Sequence, residues 1–179
     1  MNVLLSALGT AGDVHPFLAL GAALKRRGHG VTLITHAYFE ALARKTGLEF
    51  KALRTADDYS RRLNDPDLWH PRRGLGVVAK EFLLEMRPIY QIISRAYVPK
   101  QTVVVASPLI FCAQMAREKL GAPVVTIVPN PALFRSLFDS PVLPVFNAPS
   151  WAPKSVKRGL YRVLDFFADK ILLPENNKM

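Results

Sequence analysis

The sequence predicts an α/β protein with a parallel sheet that is covered by helices on both faces. Three observations support this fold class. Short apolar runs alternate with helical patterns, and a glycine-rich turn separates the first run from the first helix. The length of 179 residues and a hydrophobic fraction of 50% suit one domain with a full core. Strands that are joined through helices run parallel, and a parallel sheet needs cover on both faces.

The first 53 residues contain three predicted strands and two predicted helices. The first strand ends at the turn 9–13, and the next helix begins near Pro16 and closes at Gly28. Gly47 ends a second helix before the third strand. This alternation is typical of a Rossmann-like sheet. The predicted ranges are 2–7, 31–34 and 48–53 for the strands, and 16–27 and 38–45 for the helices.

Turn chemistry dominates residues 54–73, so we expect a long irregular loop there. Loops of this length are often functional. Residues 77–97 have helical spacing, with a kink expected at Pro88. The remaining elements of the sheet are predicted at 102–106 (strand), 110–120 (helix) and 124–128 (strand).

The last fifty residues differ in character from the rest. Six of the 14 prolines fall within 129–153, which predicts a semi-rigid loop that presents aromatic side chains. A final helix is predicted at 155–173, with basic residues near its start. We expect its apolar stripe either to pack on the domain or to stay partly exposed. The stripe consists of Val156, Leu160, Val163, Leu164, Phe167 and Ile171.

Composition and charge indicate which kind of binding partner and which cellular compartment to expect. A formal net charge of +10 favours anionic partners without choosing among them. Cys112 is the single cysteine, which excludes an intrachain disulfide and a zinc site built on several cysteines. The start lacks the pattern of a signal peptide, and no apolar stretch reaches the ~20 residues of a spanning helix. We expect a cytoplasmic protein, either free or peripheral at the inner membrane surface.

The glycine turn predicts the position of a ligand site but does not fit common nucleotide motifs. A turn from a parallel strand into a helix places free backbone N–H groups at the carboxyl edge of the sheet, where ligands bind. The spacing of Gly9 and Gly12 is not that of dinucleotide binders, and the second strand ends in His36 rather than in an acidic residue. A P-loop motif is absent from the sequence as well.

Asp13 is the main candidate for chemistry in this turn. Its carboxylate could accept a proton from a bound hydroxyl, or it could cap the helix, and the two roles are compatible. His15 is expected to be structural because it points away from Asp13 around the helix. His29 is read as a turn residue and Cys112 as a core residue. No metal-ligand spacing is found in the sequence.

Several segments resemble the amino-terminal domain of GT-B glycosyltransferases of the UDP-glycosyltransferase-like superfamily. They include residues 9–16 (GTAGDVHP), 27–29 (RGH), 47–50 (GLEF) and 65–69 (DPDLW). The resemblance covers essentially the whole chain. Within the superfamily the sequence looks most like the rhamnosyltransferase of rhamnolipid synthesis.

The resemblance implies inverting transfer from a nucleotide-diphosphate sugar, with no metal or other cofactor. Asp13 stands where the superfamily places the base that deprotonates the acceptor hydroxyl. Gly9, Thr10 and Gly12 would lie close to the sugar and its diphosphate. The donor-binding carboxyl-terminal half of the GT-B fold would be missing after residue 179, which leaves a single acceptor-binding domain. We assign the acceptor pocket to His36, Trp69, His70, Ser107, Asn130 and Phe134.

We therefore expect an acceptor-binding domain that takes an apolar or lipid-like alcohol and is inactive as an isolated chain. The alternative is a non-catalytic module that pairs with a second copy or with a partner chain supplying the donor domain. A further alternative is contact of the final helix with a membrane surface. Sequence-specific nucleic-acid binding is not expected, because the basic residues are spread along the chain without a known reading motif.

Overall fold

The computed structural model describes residues 1–70, 73–130, 136–138, 149 and 151–176, without the side chains of residue 75 and of 167–176. The described residues contain five strands and six α-helices. The strands are β1 (Asn2–Ser6), β2 (Gly30–His36), β3 (Glu49–Leu53), β4 (Thr102–Ala106) and β5 (Val124–Thr126). The helices are α1 (Ala11–Arg26), α2 (Glu40–Lys45), α3 (Ala56–Leu63), α4 (Gly74–Ala96), α5 (Phe111–Leu120) and α6 (Lys154–Asn176). Short 3-10 helices cover Ala37–Phe39 and Pro66–Trp69.

All five strands are parallel and lie in the order β3-β2-β1-β4-β5. In the central strand, Leu5 is paired with Leu33 of β2 on one side and with Val105 of β4 on the other. Apolar runs in these central strands are buried on both faces, as a covered parallel sheet requires. The predicted α/β, Rossmann-like fold class is confirmed.

Each face of the sheet carries its own apolar core. On one face Met86, Ile89 and Ile93 of α4 pack with α5 against the sheet. On the other face, helices α1 and α2 cover a second cluster, in which Phe17 of α1 packs with Leu33 of β2. The two cores fix the helices on the sheet, so the turns at its carboxyl edge have a rigid support.

Gly21 lets α1 lie close to the sheet. A Cβ at this position would come within 2.9 Å of a methyl carbon of Leu5 and within 2.7 Å of one of Leu48. Ordinary carbon contacts are about 3.5 to 4.0 Å, so even alanine would force the helix or the leucines to move. The glycine therefore sets the distance between α1 and β1.

The structure corrects the prediction for residues 54–73. Instead of an irregular loop it has α3, followed by the 3-10 helix Pro66–Trp69. The Thr55 hydroxyl accepts the Asp58 N–H at 3.2 Å and donates to the Asp58 carboxylate at 2.7 Å. Asp residues that suggested a turn thus serve as the first residues of a helix, where acidic side chains are favoured. The next helix, α4, begins at Gly74 and runs through Pro88 without interruption.

The final helix is confirmed, and its apolar stripe is partly exposed, which is one of the two outcomes expected. Val156 and Val163 are exposed, whereas Lys157 and Tyr161 are buried. Lys157 Nζ donates to the carbonyl oxygen of Phe138 at 3.3 Å, and the Tyr161 hydroxyl donates to that of Ser136 at 3.0 Å. These bonds to the backbone orient the helix. Most of the predicted proline-rich loop 129–153 lies outside the described residues.

Candidate functional site

A cavity of about 190 Å³ lies at the carboxyl edge of the sheet. The strand order changes direction between β1 and β4, and ligands of open α/β sheets bind beside such a switch point. The cavity is lined by the turn that follows β1 and by Leu109, which follows β4. Its position is therefore the one that the architecture favours for a ligand.

Apart from Leu109, the lining residues fall into three groups. The glycine turn supplies Leu8, Gly9, Thr10 and Asp13. The end of β2 and the α3 region supply His36, Tyr59, Arg62, Leu63 and Leu68. The first half of α4 supplies Val78, Glu81, Phe82 and Glu85. The site is thus an apolar cavity with one carboxylate at the glycine turn and a group of charges near α4.

The Asp13 carboxylate is held by the residue that begins its helix. Thr10 donates to Oδ2 twice, from its backbone N–H at 2.8 Å and from its hydroxyl at 3.1 Å. Within the described part of the chain, Oδ1 accepts no hydrogen bond. Asp13 is partly buried and lines the cavity. One oxygen is therefore fixed by the turn, and the other is free to accept a proton.

Gly9 is the reason that this carboxylate fits against the turn. Its φ of +121° lies in the region that favours glycine, so a side chain here would strain the backbone. An added Cβ would also lie 2.8 Å from Cγ of Asp13, far inside contact distance. Gly9 is therefore required both by the backbone conformation of the turn and by the position of the Asp13 side chain.

His36 is a neutral imidazole whose acceptor nitrogen is already engaged. Nε2 lies 3.2 Å from Nη1 of Arg62. Because a guanidinium only donates, Nε2 must accept and the ring proton must be on Nδ1. Burial and the neighbouring Arg62 lower the pKa of His36 to about 4. The histidine lines the cavity, but its role there is to hold Arg62 and not to take up a proton.

Arg62 continues into a cluster of charges behind the cavity. Its Nη2 lies 2.5 Å from a carboxylate oxygen of Glu81 and 3.8 Å from one of Glu85. Arg54 Nε lies 2.5 Å from the same Glu85 oxygen. Burial raises the pKa of Glu85, and the two arginines oppose that rise. The cluster joins the end of β2, residue 54, α3 and α4, so it sets the position of this wall.

An aromatic group stands between the charge cluster and Asp13. Tyr59 is buried and stacks on the exposed Tyr38, with ring centroids 4.8 Å apart and planes inclined by 28°. The ring of His36 lies 5.2 Å from that of Tyr59. Burial, Tyr38 and the Asp13 carboxylate raise the pKa of Tyr59. The tyrosine therefore forms an apolar wall close to Asp13.

The structure brings some of the predicted site residues together and leaves others apart. Asp13, Gly9, Thr10 and His36 meet at the cavity, whereas Gly12 is exposed in the first turn of α1 outside its lining. The remaining assignments to the acceptor pocket need the corrections below.

Four predicted pocket residues do not line the cavity. Trp69 is exposed and its indole N–H donates to the carbonyl of Leu63, while His70 accepts the N–H of Arg73. Ser107 is buried beside β1, and Asn130 is exposed. In the segment that follows α3, Leu68 lines the cavity, whereas Trp69 and His70 do not. Phe134 lies outside the described residues.

The sequence analysis missed the residues that form the second half of the site. Tyr59 and Arg62 lie in a segment interpreted as loop, and Glu81 and Glu85 looked like the polar face of a helix. One signal could have identified α3: Thr55 and Asp58 repeat the spacing of Thr10 and Asp13, a pattern that begins helices. Among the described residues, no cluster of three or more His, Cys, Asp or Glu could hold a metal ion.

The fold and the cavity define a class of protein: a Rossmann-like α/β domain with a ligand-sized cavity at the carboxyl edge of its sheet. Residues 3–138 match the model of the glycosyltransferase family 28 N-terminal domain. The chain belongs to this family. The superfamily that residues 9–16 predicted is thereby supported, and the resemblance to the rhamnosyltransferase of rhamnolipid synthesis stays a prediction.

Known proteins match the chain over part of their length. A sterol 3-beta-glucosyltransferase of Pichia angusta is 45% identical over 49 residues, which are 27% of this chain and 4% of that enzyme. The structure of CalG4, the calicheamicin glycosyltransferase, superposes with a TM-score of 0.56 at 20% identity. That match covers 71% of this chain and 32% of the other.

A second solved structure shows a glycosyltransferase of this fold with a nucleotide. It is SsfS6 of Streptomyces sp. SF2575, complexed with thymidine diphosphate. The TM-score is 0.53 at 20% identity, over 72% of this chain and 38% of that one. At these identities the likeness shows the fold alone, and the chain spans well under half of the proteins it matches.

Proposed function

We propose that the chain is the acceptor-binding domain of an inverting glycosyltransferase that uses a nucleotide-diphosphate sugar and takes an apolar or lipid-like alcohol. Asp13 is the base. The observation that carries the proposal is the Asp13 carboxylate, which lies at an apolar cavity with Oδ2 held by Thr10 and Oδ1 free. Membership of a glycosyltransferase family supports the reaction class.

The chemistry is a single displacement. The acceptor oxygen forms a bond to the anomeric carbon while the bond from that carbon to the diphosphate breaks. The hydroxyl proton passes to Oδ1 of Asp13, and the electron pair of the broken bond leaves with the nucleoside diphosphate. Thr10 keeps the carboxylate in one orientation during this step, which holds the base at the reacting end of the acceptor.

The cavity suits the reacting end of an apolar molecule. Leucine, valine and aromatic side chains form most of its wall, with Phe82 and Tyr59 as the largest. Complete small-molecule sites are ~300 to 1,000 Å³, so a cavity of about 190 Å³ would enclose only part of an acceptor. The rest of the molecule would extend toward solvent or toward residues outside the described part.

We propose further that the isolated chain does not turn over a nucleotide sugar. Among the described residues that line the cavity, Arg62 is the one cation, and Glu81 and His36 already engage it. A departing diphosphate needs positive charge or backbone donors aimed at it. The start of α1 offers N–H groups but no charged side chain for this purpose. Release of nucleoside diphosphate by the isolated chain, in step with glycoside formation, would refute this part.

Calorimetric titration with a pair of ligands tests the acceptor site. The pair is 1-octanol and methyl octyl ether, which differ in the hydroxyl proton that Asp13 is proposed to accept. Wild type should bind the alcohol about tenfold more tightly than the ether, which corresponds to one hydrogen bond to a charged group. Asp13→Asn should lose most of that preference, while its affinity for the ether stays the same.

Asp58→Asn is the matched control. Asp58 occupies the same position in α3 that Asp13 occupies in α1, but it does not line the cavity. This variant should keep the preference for the alcohol. No measurable affinity for either ligand would contradict the acceptor site itself. Equal affinity of wild type for alcohol and ether would leave a pocket but remove the proposed role of Asp13.

A further inference from the structure

The solvent side of α6 contributes no residue to the cavity lining. We call this surface the outer face of α6 and define it by Val156, Gly159, Val163 and Phe166. Their spacing of three, seven and ten residues places them on one side of a helix. The three apolar side chains are each more than half exposed. An apolar stripe therefore faces solvent along at least three turns.

The orientation of α6 is fixed from its opposite side. Lys157 is only 2% exposed, and its ammonium donates to the carbonyl of Phe138. Tyr161 is buried one turn later and donates to the carbonyl of Ser136. The helix also contacts α4. Because these anchors lie roughly 100 to 160° around the helix from Val156 and Val163, the apolar stripe cannot rotate inward without breaking them.

An exposed tryptophan precedes the helix, whereas the exposed Phe138 belongs to the segment that anchors the other side of α6. Trp151, just before α6, is 82% exposed, and Phe138 is 77% exposed. The ammonium of Lys154 lies 3.8 Å from the centroid of the Phe138 ring. An exposed tryptophan next to basic residues is typical of segments that sit at the boundary between lipid headgroups and acyl chains.

Positive charge flanks this surface. Lys154, Arg158 and Arg162 are exposed along one side of α6. The described stretch 151–166 contains four basic residues and one acidic residue, Asp165. The whole chain has a formal net charge of +10. A partner that meets both the apolar stripe and its basic flank must therefore combine apolar and anionic character.

We propose that the outer face of α6, with Trp151, docks on the surface of an anionic lipid bilayer. The apolar stripe enters the headgroup boundary and the basic flank pairs with lipid phosphates. Within the described residues, no helix has the length and apolar character to cross a bilayer. The contact is peripheral and reversible by salt.

The charges favour a bilayer over a second copy of the chain. In a twofold dimer formed through this face, Arg158 and Arg162 of one copy would approach the same residues of the other. Such like charges repel and would have to be desolvated. Anionic headgroups remove this repulsion, so the same surface that resists self-association attracts lipid.

The test uses Trp151 as its reporter. The protein has two tryptophans, so Trp69→Phe leaves Trp151 as the single one. Vesicles of equal parts phosphatidylglycerol and phosphatidylcholine should shift its emission to shorter wavelength and sediment the protein at low salt. Pure phosphatidylcholine vesicles should do neither, and 0.5 M salt should release the bound protein.

Two pairs of variants separate the outer face from general surface properties. Arg158→Gln with Arg162→Gln should weaken partition onto the anionic vesicles about 30-fold. Arg26→Gln with Arg27→Gln, which removes the same charge at the end of α1, should change it much less. Val163→Ser should weaken binding, whereas Val125→Ser, at an exposed valine of β5, should not.

Three outcomes would overturn the proposal. One is no sedimentation with anionic vesicles at low salt. Another is an equal loss of binding in the α1 and α6 arginine pairs, which would indicate diffuse attraction by net charge. The third is a dimer in analytical ultracentrifugation that dissociates in Val163→Ser, which would show that a second copy covers this face. Circular dichroism of each variant confirms that the fold is retained.

Discussion

Two helix starts in this molecule share one local design and differ in their surroundings. At the first, Thr10 donates from its N–H and hydroxyl to Asp13; at the second, Thr55 donates in the same way to Asp58. Asp58 also pairs with Arg61 and does not line the cavity. The pattern by itself therefore begins a helix, and the two carboxylates differ in what surrounds their second oxygen.

Different interactions also hold the two helices on the rest of the protein. Helix α1 buries Val14, Phe17 and Leu18, so apolar contact holds it on the sheet. Helix α3 buries one side chain, Tyr59, and is otherwise tied to α4 through the ion pairs of Arg62. The predictions below test whether α3 depends on charge where α1 depends on apolar burial and a glycine.

The largest effect is expected when the charge cluster behind α3 loses Glu85. Glu85→Ala leaves Arg54 and Arg62 without the carboxylate that they share, and Arg62 is mostly buried. Removing one partner of a buried ion pair costs about 3 to 5 kcal/mol of unfolding free energy. Urea denaturation at neutral pH measures it. Glu118→Ala, at an exposed glutamate of α5, should change stability by about 0.5 kcal/mol or less. Equal stabilities of the two variants would show that the cluster does not hold α3.

Lowering the pH should destabilise the folded protein, because protonation of His36 is less favourable in the folded chain than in the unfolded chain. The pKa of this residue is lowered to about 4 in the folded chain, so between pH 6.5 and pH 4 the unfolded chain binds the proton and the folded chain does not. The contribution of His36 to the free energy of unfolding is fully present above pH 6.5 and is lost as the pH falls toward 4. The loss reaches about 3 kcal/mol at the lower limit.

Denaturation across this pH range should show a smaller slope in His36→Gln than in wild type. Glutamine keeps an acceptor for Arg62 but does not titrate. The raised pKa of Glu85 acts in the opposite direction, so the difference between the two proteins isolates the histidine. His15→Gln removes an exposed imidazole and should leave the slope unchanged. Parallel curves for wild type and His36→Gln would contradict the prediction.

At the first helix start, Gly9→Ala should destabilise the protein by about 2 kcal/mol, because a side chain is strained at φ +121° and collides with Asp13. Gly12→Ala is the control. Its Cβ would meet only the Thr10 hydroxyl at 3.7 Å, and alanine favours a helix by up to ~1 kcal/mol. Opposite signs of the two changes in thermal denaturation are expected. A neutral Gly9→Ala would show that the turn can relax around Asp13.

The smallest effect is expected for Asp58→Asn at the second helix start. Hydrogen bonds from Thr55, followed by the charge of Arg61, hold the pKa of Asp58 below its usual value. Its contribution to stability is present at neutral pH and is lost as the pH falls through this lowered pKa. The carboxylate is exposed, so high salt should reduce the difference from wild type. Thermal denaturation at low and high salt measures it, and a difference that grows with salt would contradict this account.

Much of the fold could be predicted because its signals are local. Strands β1 and β4 are short apolar runs, and Gly28 and Gly47 mark where helices end. Asp13 could be identified for the same reason, since Gly9, Thr10 and Asp13 are neighbours in one turn. Local sequence determines such a turn almost alone.

The rest of the site could not be predicted because distant segments assemble it. Arg54, Arg62 and Glu85 come from three separate segments, and each looks ordinary in its own segment. His36, which contacts Arg62, is the one distant residue that the sequence did assign to the site. The buried face of α6 has a similar cause. Apolar periodicity favoured burial of its valines, but hydrogen bonds from Lys157 and Tyr161 to the 136–138 backbone decided the orientation.

Gly21 links the packing of α1 to the position of Asp13. It lies eight residues after Asp13 on the same helix, about 12 Å along the axis. A larger residue at this position would require the helix or the side chains of Leu5 and Leu48 to move. If the helix moves, the Asp13 carboxylate in its first turn moves with it, so packing in the hydrophobic core bears on the position of the proposed base.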